Sequence, residues 1–151
     1  GPADIVALFR GMARDAIGDR DRRGCMVTNC SIELADRDPD LVVMLARLDQ
    51  QKHVDAAIRA FAAVVKQRPR ARLEIYGRGP EEKELSSLIA SLRLQNSVRL
   101  AGYTSDPAAV YRKASVCLLT SRYEGFGLVV LESMAHFDIP VMIGVAVACL
   151  P

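Results

Sequence analysis

The sequence has no surplus of charge of either sign. Twenty Lys and Arg stand against eighteen Asp and Glu, for a net charge of +2. A nucleic-acid binder would show a basic excess and a scavenging chain an acidic tail; neither is present. Glycine and proline are sparse, ten and seven in 151 residues, too few for a disordered or collagen-like chain. Histidine is nearly absent, with His53 and His136 far apart. Cysteine occurs four times, at Cys25, Cys30, Cys117 and Cys149, and never as a C-x-x-C pair. Zinc needs tightly spaced ligand pairs, so no metal site is expected. Cys117 lies in an apolar run and reads as a small buried hydrophobe. The thiols are expected to be reduced, in a cytoplasmic compartment. No apolar run reaches the about 18 residues of a membrane span. The opening Gly1-Pro2 lacks the basic and apolar regions of a signal peptide and looks like the remnant of a cleaved tag.

What is present is the composition of an ordinary globular domain, 50% apolar and 25% charged. A chain of this length can bury roughly 68–70% of its unfolded surface without disulfide or metal staples. The composition shifts near residue 39. Residues 1–39 hold no Lys, six Arg and a net charge of −1, whereas residues 40–151 carry +3. Ile5, Leu8, Phe9 and Met12 make a helical stripe, the run from Gly18 to Gly24 breaks it, and a second helix is expected at about 25–35. Residues 36–40 read as a linker or helix entry. The chain is therefore divided into a helical appendage, 1–39, and a main domain, 40–151.

In the main domain, strand and helix patterns alternate. Residues 41–46 form a short apolar run, expected to be a strand buried on both faces. Val54, Ala57, Ile58, Phe61 and Val65 then give a helix face. Further strands are expected at 73–76, 98–101, 115–120 and 141–143. Between them, Gly79-Pro80-Glu81-Glu82 opens a helix whose buried stripe is Leu85, Leu88, Ile89 and Leu92. Asp106-Pro107 caps a short helix ending near Lys113, and another runs from about Gly127 to His136. The expected fold is α/β: a Rossmann-like parallel sheet of about five strands with right-handed crossovers, plus two extra N-terminal helices.

Ligands of an open parallel sheet bind beyond the carboxyl ends of its strands. The first such loop carries two cations, Arg47 and Lys52. The second holds Gly77-x-Gly79, two of the three glycines of a dinucleotide fingerprint and a weak sign of NAD. The loop after the fourth strand holds Gly125-Phe126-Gly127 ahead of a helix, where glycines admit a ligand to the backbone and helix amides attract phosphate. Glu124 and Glu132 stand eight residues apart. Val129, Val130 and Leu131 beside Glu132 suggest a helix with little exposed surface, on which a Glu needs a hydrogen-bonding partner.

Together these motifs resemble the C-terminal, donor-binding domain of family-four retaining glycosyltransferases of GT-B fold. The resemblance spans residues 41–136. It rests on Ala46-Arg47-Leu48 with Lys52, on the run Leu73 to Pro80, on Leu100-Ala101-Gly102-Tyr103, and on the E-x7-E motif from Glu124 to Glu132. Details around Gly102 and Leu118 look most like the bacterial branch that decorates polyol-phosphate wall polymers or adhesin proteins. The resemblance implies that Arg47 and Lys52 clamp the donor diphosphate and that Glu124 contacts the transferred sugar. It implies that the amides of Gly125, Phe126, Gly127, Leu128 and Val129 hold sugar and phosphate, while Glu132 binds the ribose. The implied donor is a UDP-sugar, with no cofactor or metal.

The sequence departs from the family at Ala46 and His53, where glycine is usual, and at residues 135–140, which replace A-x-G-x-P. After Ile143 the tail is apolar, and the closing helices of the fold are expected to be missing. With Leu8 to Arg14, the run Arg23 to Ala35 and Asp38-Pro39, residues 3–39 resemble instead the effector-domain helices of TetR-type repressors, which suggests a chimera. Residues 1–35 would then cap the sheet or form a homodimer. With the acceptor domain also missing, the expectation is donor binding without transfer by this chain alone. The alternative is a non-enzymatic scaffold.

Overall fold

The computed structural model describes residues 38–123, 128–129, 131–132 and 142–144. The two expected N-terminal helices, residues 124–127 with Glu124, Gly125, Phe126 and Gly127, and residues 133–141 lie outside this set.

Five strands form one parallel sheet: β1 (Asp38–Leu45), β2 (Arg72–Tyr76), β3 (Val98–Gly102), β4 (Ala114–Leu119) and β5 (Met142–Gly144). Their spatial order is β3-β2-β1-β4-β5, and every neighbouring pair is parallel. The connecting helices are α1 (Val54–Gln67), α2 (Glu82–Ser91) and α3 (Pro107–Lys113). The expected α/β fold with a parallel sheet of about five strands is therefore found.

The central strand β1 is buried on both faces, as its unbroken apolar run requires. Val42 and Met44 point to one side, where they join Leu73, Ile75, Val116 and Leu118 beneath α1 and α2. Leu41, Val43 and Leu45 point to the other, with Cys117, under Val110 and Tyr111 of α3. Val129 packs on this second face. Cys117 is fully buried, and burial pushes its thiol up to about 12, so it serves as an apolar side chain.

Three local readings shift. β1 begins at Asp38, inside the stretch expected to be a linker. There the Asp38 carboxylate accepts the Asp40 N–H and pairs with Arg72, and Ser115 Oγ donates to the Asp38 carbonyl at 2.6 Å. Side-chain bonds thus extend a strand whose register slips between Asp38 and Val42. In α1 the inward position is Val64, with Val65 only partly buried. The helix expected to open at Gly79-Pro80 starts at Glu82, because the Glu81 N–H is drawn to the Leu48 carbonyl, 3.1 Å away. The Asp106 cap forms as expected, its Oδ1 accepting the Ala109 N–H at 3.0 Å.

On the second face, Glu74 sits in a polar cluster. Its Oε2 accepts from Lys113 Nζ at 2.7 Å and from the Tyr76 hydroxyl at 2.7 Å, and its Oε1 accepts from Arg99 at 2.8 Å. Burial alone would raise the Glu74 pKa. The bonds from Lys113 and Tyr76 and the charges of Lys113 and Arg99 outweigh it, and the carboxyl is held below its usual 4.5. Burial would likewise lower Lys113, but Glu74 and Tyr76 hold it above 10.5.

Two outcomes are expected. Gly79 lies against the β1–α1 loop so closely that an added Cβ would stand 2.2 Å from the Leu48 carbonyl oxygen. The obstacle is backbone, so Gly79→Ala should destabilise the chain by about 2 kcal/mol or more in urea unfolding. Glu74→Gln should lose about 1 kcal/mol at pH 7, a modest figure because Lys113 and Arg99 are screened by solvent. The carboxylate contributes fully above pH 4.5 and less as pH falls through its depressed folded value. The gap between wild type and Glu74→Gln should therefore narrow toward pH 3.

Candidate functional site

The loops leaving the carboxyl ends of β1 to β4 meet at one edge of the sheet. Parallel pairing continues into the first three. The Ala46 N–H donates to the Tyr76 carbonyl at 2.9 Å, Leu48 N–H to Arg78 at 3.0 Å, and Gly77 N–H to Gly102 at 2.8 Å. Gly77 makes this approach with φ +149, and a Cβ there would fall 1.8 Å from the Ala46 oxygen. The two glycines at 77 and 79 are explained by this contact between loops, without a dinucleotide.

Arg47 emerges between two hollows and lines both. The first, about 420 Å³, is walled by Tyr76, Tyr103, Pro107 and Val129, with Gly77 and Arg78 along its rim. Tyr103 is 70% exposed, an aromatic face turned outward. The second, about 640 Å³, is polar and includes Asp49, Gln51, Glu84 and Tyr123. Both lie in the size range of small-molecule sites.

Asp49 organises the loop that carries the cations, a role the sequence reading missed. One carboxylate oxygen accepts Arg47 Nε at 2.9 Å and the other the Lys52 N–H at 3.1 Å. Arg47 is 75% exposed, so the pair contributes orientation more than stability. The Asp-x-x-Lys spacing, that of a side-chain-to-backbone turn, is the signal that could have revealed it. The loop closes on His53, whose φ of 51 is left-handed. This explains physically why glycine is usual there in the resembling family.

Opposite lies the end of β4. Buried Thr120 reaches the Lys52 and His53 carbonyls, each at 3.0 Å. The Arg122 N–H donates to the Gln51 carbonyl at 2.8 Å, and Gln51 Nε2 to the Tyr123 carbonyl at 3.2 Å. The first and fourth loops are thereby tied, which brings Arg47 and Lys52 beside the segment leading to Glu124. Residues 128–129 and 131–132 are helical. The surface there is more open than expected: Leu128 is 63% and Leu131 48% exposed, and Glu132 is exposed too. Val129 supplies the contact with the sheet, so the apolar neighbours of Glu132 mark no all-round burial. Burial pushes the Tyr111 hydroxyl well above its usual 10.

Among the described residues, no cluster of three or more His, Cys, Asp or Glu could hold a metal ion, and no helix is long and apolar enough to cross a membrane.

Comparison with known proteins agrees with this geometry. The sequence matches the family of glycosyl transferases group 1 over residues 28–145, so the match begins before the boundary expected at residue 39. It is 38% identical over 94 residues to a poly(glycerol-phosphate) alpha-glucosyltransferase of Bacillus subtilis, covering 62% of this chain and 14% of that protein. It is 30% identical over 110 residues to the GtfA subunit of a UDP-N-acetylglucosamine–peptide N-acetylglucosaminyltransferase of Streptococcus pneumoniae, covering 69% and 22%. The chain thus spans well under half the length of these relatives. Among solved structures, the pneumococcal O-GlcNAc transferase GtfA in complex with UDP and GlcNAc superposes with a TM-score of 0.68 at 29% identity, over 75% of this chain and 22% of that one. Staphylococcus aureus TarM, also solved with UDP, shares the fold with a TM-score of 0.71 at 22% identity, over 93% and 29%. With the family match covering most of its length, the chain belongs to the glycosyl transferases group 1.

Proposed function

We propose that this chain is the donor-binding half of a retaining glycosyltransferase that takes a UDP-sugar. The observation that carries the reading is the position of Arg47 between an aromatic hollow and a polar one, on a loop tied to the segment that opens the E-x7-E motif. A nucleotide-sugar has a matching layout: a flat base on a ribose, then two phosphates, then the sugar to be transferred. The hollow at Tyr76 and Tyr103 suits the base. Arg47 and Lys52 face the diphosphate from one side and the amides from Gly125 to Val129 from the other. Glu124 meets the transferred sugar and Glu132 the ribose.

The chemistry asks for little else. As the glycosidic bond to the donor breaks, negative charge gathers on the departing diphosphate. Fixed cations and helix-start amides stabilise that charge and so lower the barrier without a metal. Relatives that contain UDP, or are named for UDP-sugar donors, support the nucleotide. The acceptor must be brought to the same cleft by a facing lobe, and orientation of the two reactants can supply up to about 7–11 kcal/mol of the barrier. Polyol-phosphate polymers or proteins are the acceptor classes that the names of relatives suggest.

Calorimetric titration tests the reading. Wild type should bind UDP more tightly than uridine. Charge-assisted bonds contribute about 1.5–3 kcal/mol each, so Arg47→Ala should weaken UDP binding roughly 10–100-fold. Glu132→Gln keeps its shape and loses only its charge, and should weaken binding less. Leu128→Met should be nearly silent, since its exposed side chain leaves the backbone to make the contact. Equal UDP affinity for wild type and Arg47→Ala would sink the diphosphate assignment. The 151-residue chain alone should transfer sugar far below about 1 s⁻¹; turnover at or above that rate would overturn the half-site view.

A further inference from the structure

The bonds between residues 51–53 and 120–123 join segments about seventy positions apart, and one buried hydroxyl stands at their centre. Thr120 is 3% exposed and shares its Oγ1 between two consecutive carbonyls, those of Lys52 and His53. These carbonyls flank the point where the chain turns left-handed at His53, a conformation disfavoured for residues with a Cβ. A loop under such strain holds its shape only when its surroundings over-determine it. Here the restraint comes from β4, and Gln51 adds two further ties: its carbonyl accepts the Arg122 N–H, and its side chain reaches the Tyr123 carbonyl.

We propose that Thr120 is a positioning residue for donor binding, a latch that holds Lys52 in the strained loop and fixes it against the segment leading to Glu124. This rests on the reading of the site as a diphosphate clamp. Thr120 is buried, with little surface to offer a donor. It acts through the Lys52 and His53 carbonyls, so that the Lys52 side of the clamp is set before phosphate arrives. Without the hydroxyl, part of the binding energy of the diphosphate would be consumed in ordering the loop.

The experiment compares wild type with Thr120→Val, which keeps the shape and removes the hydroxyl, and with Thr120→Ser, which restores it. UDP and uridine are titrated into each by calorimetry, and backbone amide exchange is followed at Arg122. Thr120→Val should bind UDP roughly 5–20-fold more weakly, the effect of about one buried hydrogen bond. Its affinity for uridine should stay within about twofold, and exchange at Arg122 should quicken. Thr120→Ser should recover most of the UDP affinity. Gln51→Ala, on the part-exposed side of the latch, should weaken UDP binding in the same direction by roughly two- to threefold and keeps the test open should Thr120→Val fold poorly. Unchanged UDP binding by Thr120→Val overturns the latch. So does an equal loss of UDP and uridine, which marks a purely structural role, or a failure of Thr120→Ser to rescue. If wild type binds no UDP, the donor reading falls and the latch with it. Wild-type binding with indifferent variants removes the latch alone.

Discussion

β1 is the central strand, paired on both edges and covered by apolar residues on both faces, and its register decides where everything else goes. A slip by a single residue would exchange Val42 and Met44 with Val43 and Leu45, two sets that fill differently shaped cores. Because β2 and β4 both pair with it in parallel, fixing β1 also fixes where their carboxyl ends emerge. Arg47, Tyr76, Gly77 and Thr120 then arrive at one edge as a consequence of core packing. No local sequence preference gathers them.

The edge itself is built from loops that behave as continuations of the sheet. Ala46, Leu48 and Gly77 keep donating to the neighbouring chain after the strands have ended, which is why glycine is required where the backbones close in. This gives a rigid floor under a surface whose side chains remain open to solvent. Tyr103, Arg47 and Leu128 are all well exposed, yet Arg47 stands between Ala46 and Leu48, whose N–H groups are both bonded to the neighbouring loop. A binding surface made this way can be pre-shaped without being buried.

Much of this was legible beforehand, for identifiable reasons. The apolar run at 41–46 and the stripe from Val54 to Phe61 report burial directly, and burial is what forms those elements. Asp106-Pro107 announced a helix start because its cap is local. The misreadings have the opposite character. Asp38 looked like a linker residue because its partners, Arg72 and Ser115, are distant in sequence. Pro80 looked like the first turn of a helix because the pull of Leu48 on Glu81 belongs to another loop. The exposure of Leu128 and Leu131 defeated a reading based on apolar neighbours. At the site, Arg47 and Lys52 stand out through the resemblance of their surroundings to a family. Asp49 and Thr120 were passed over, being ordinary polar residues whose meaning lies in what they face.

The pairing of β1 with β4 also bears on how the molecule comes into being. β2 lies about thirty residues from its partner in β1, whereas Ala114 meets Asp38 only after more than seventy residues have been made. Closing the longer loop loses more chain entropy, and parallel pairings of large separation form late. A half-folded chain would thus possess β1, α1 and β2, and even the cations of the first loop, but not the strand end that holds that loop in shape. On the donor-binding function proposed above, binding competence would come only with the β1–β4 pairing, and a nucleotide would draw the folding equilibrium toward finished molecules.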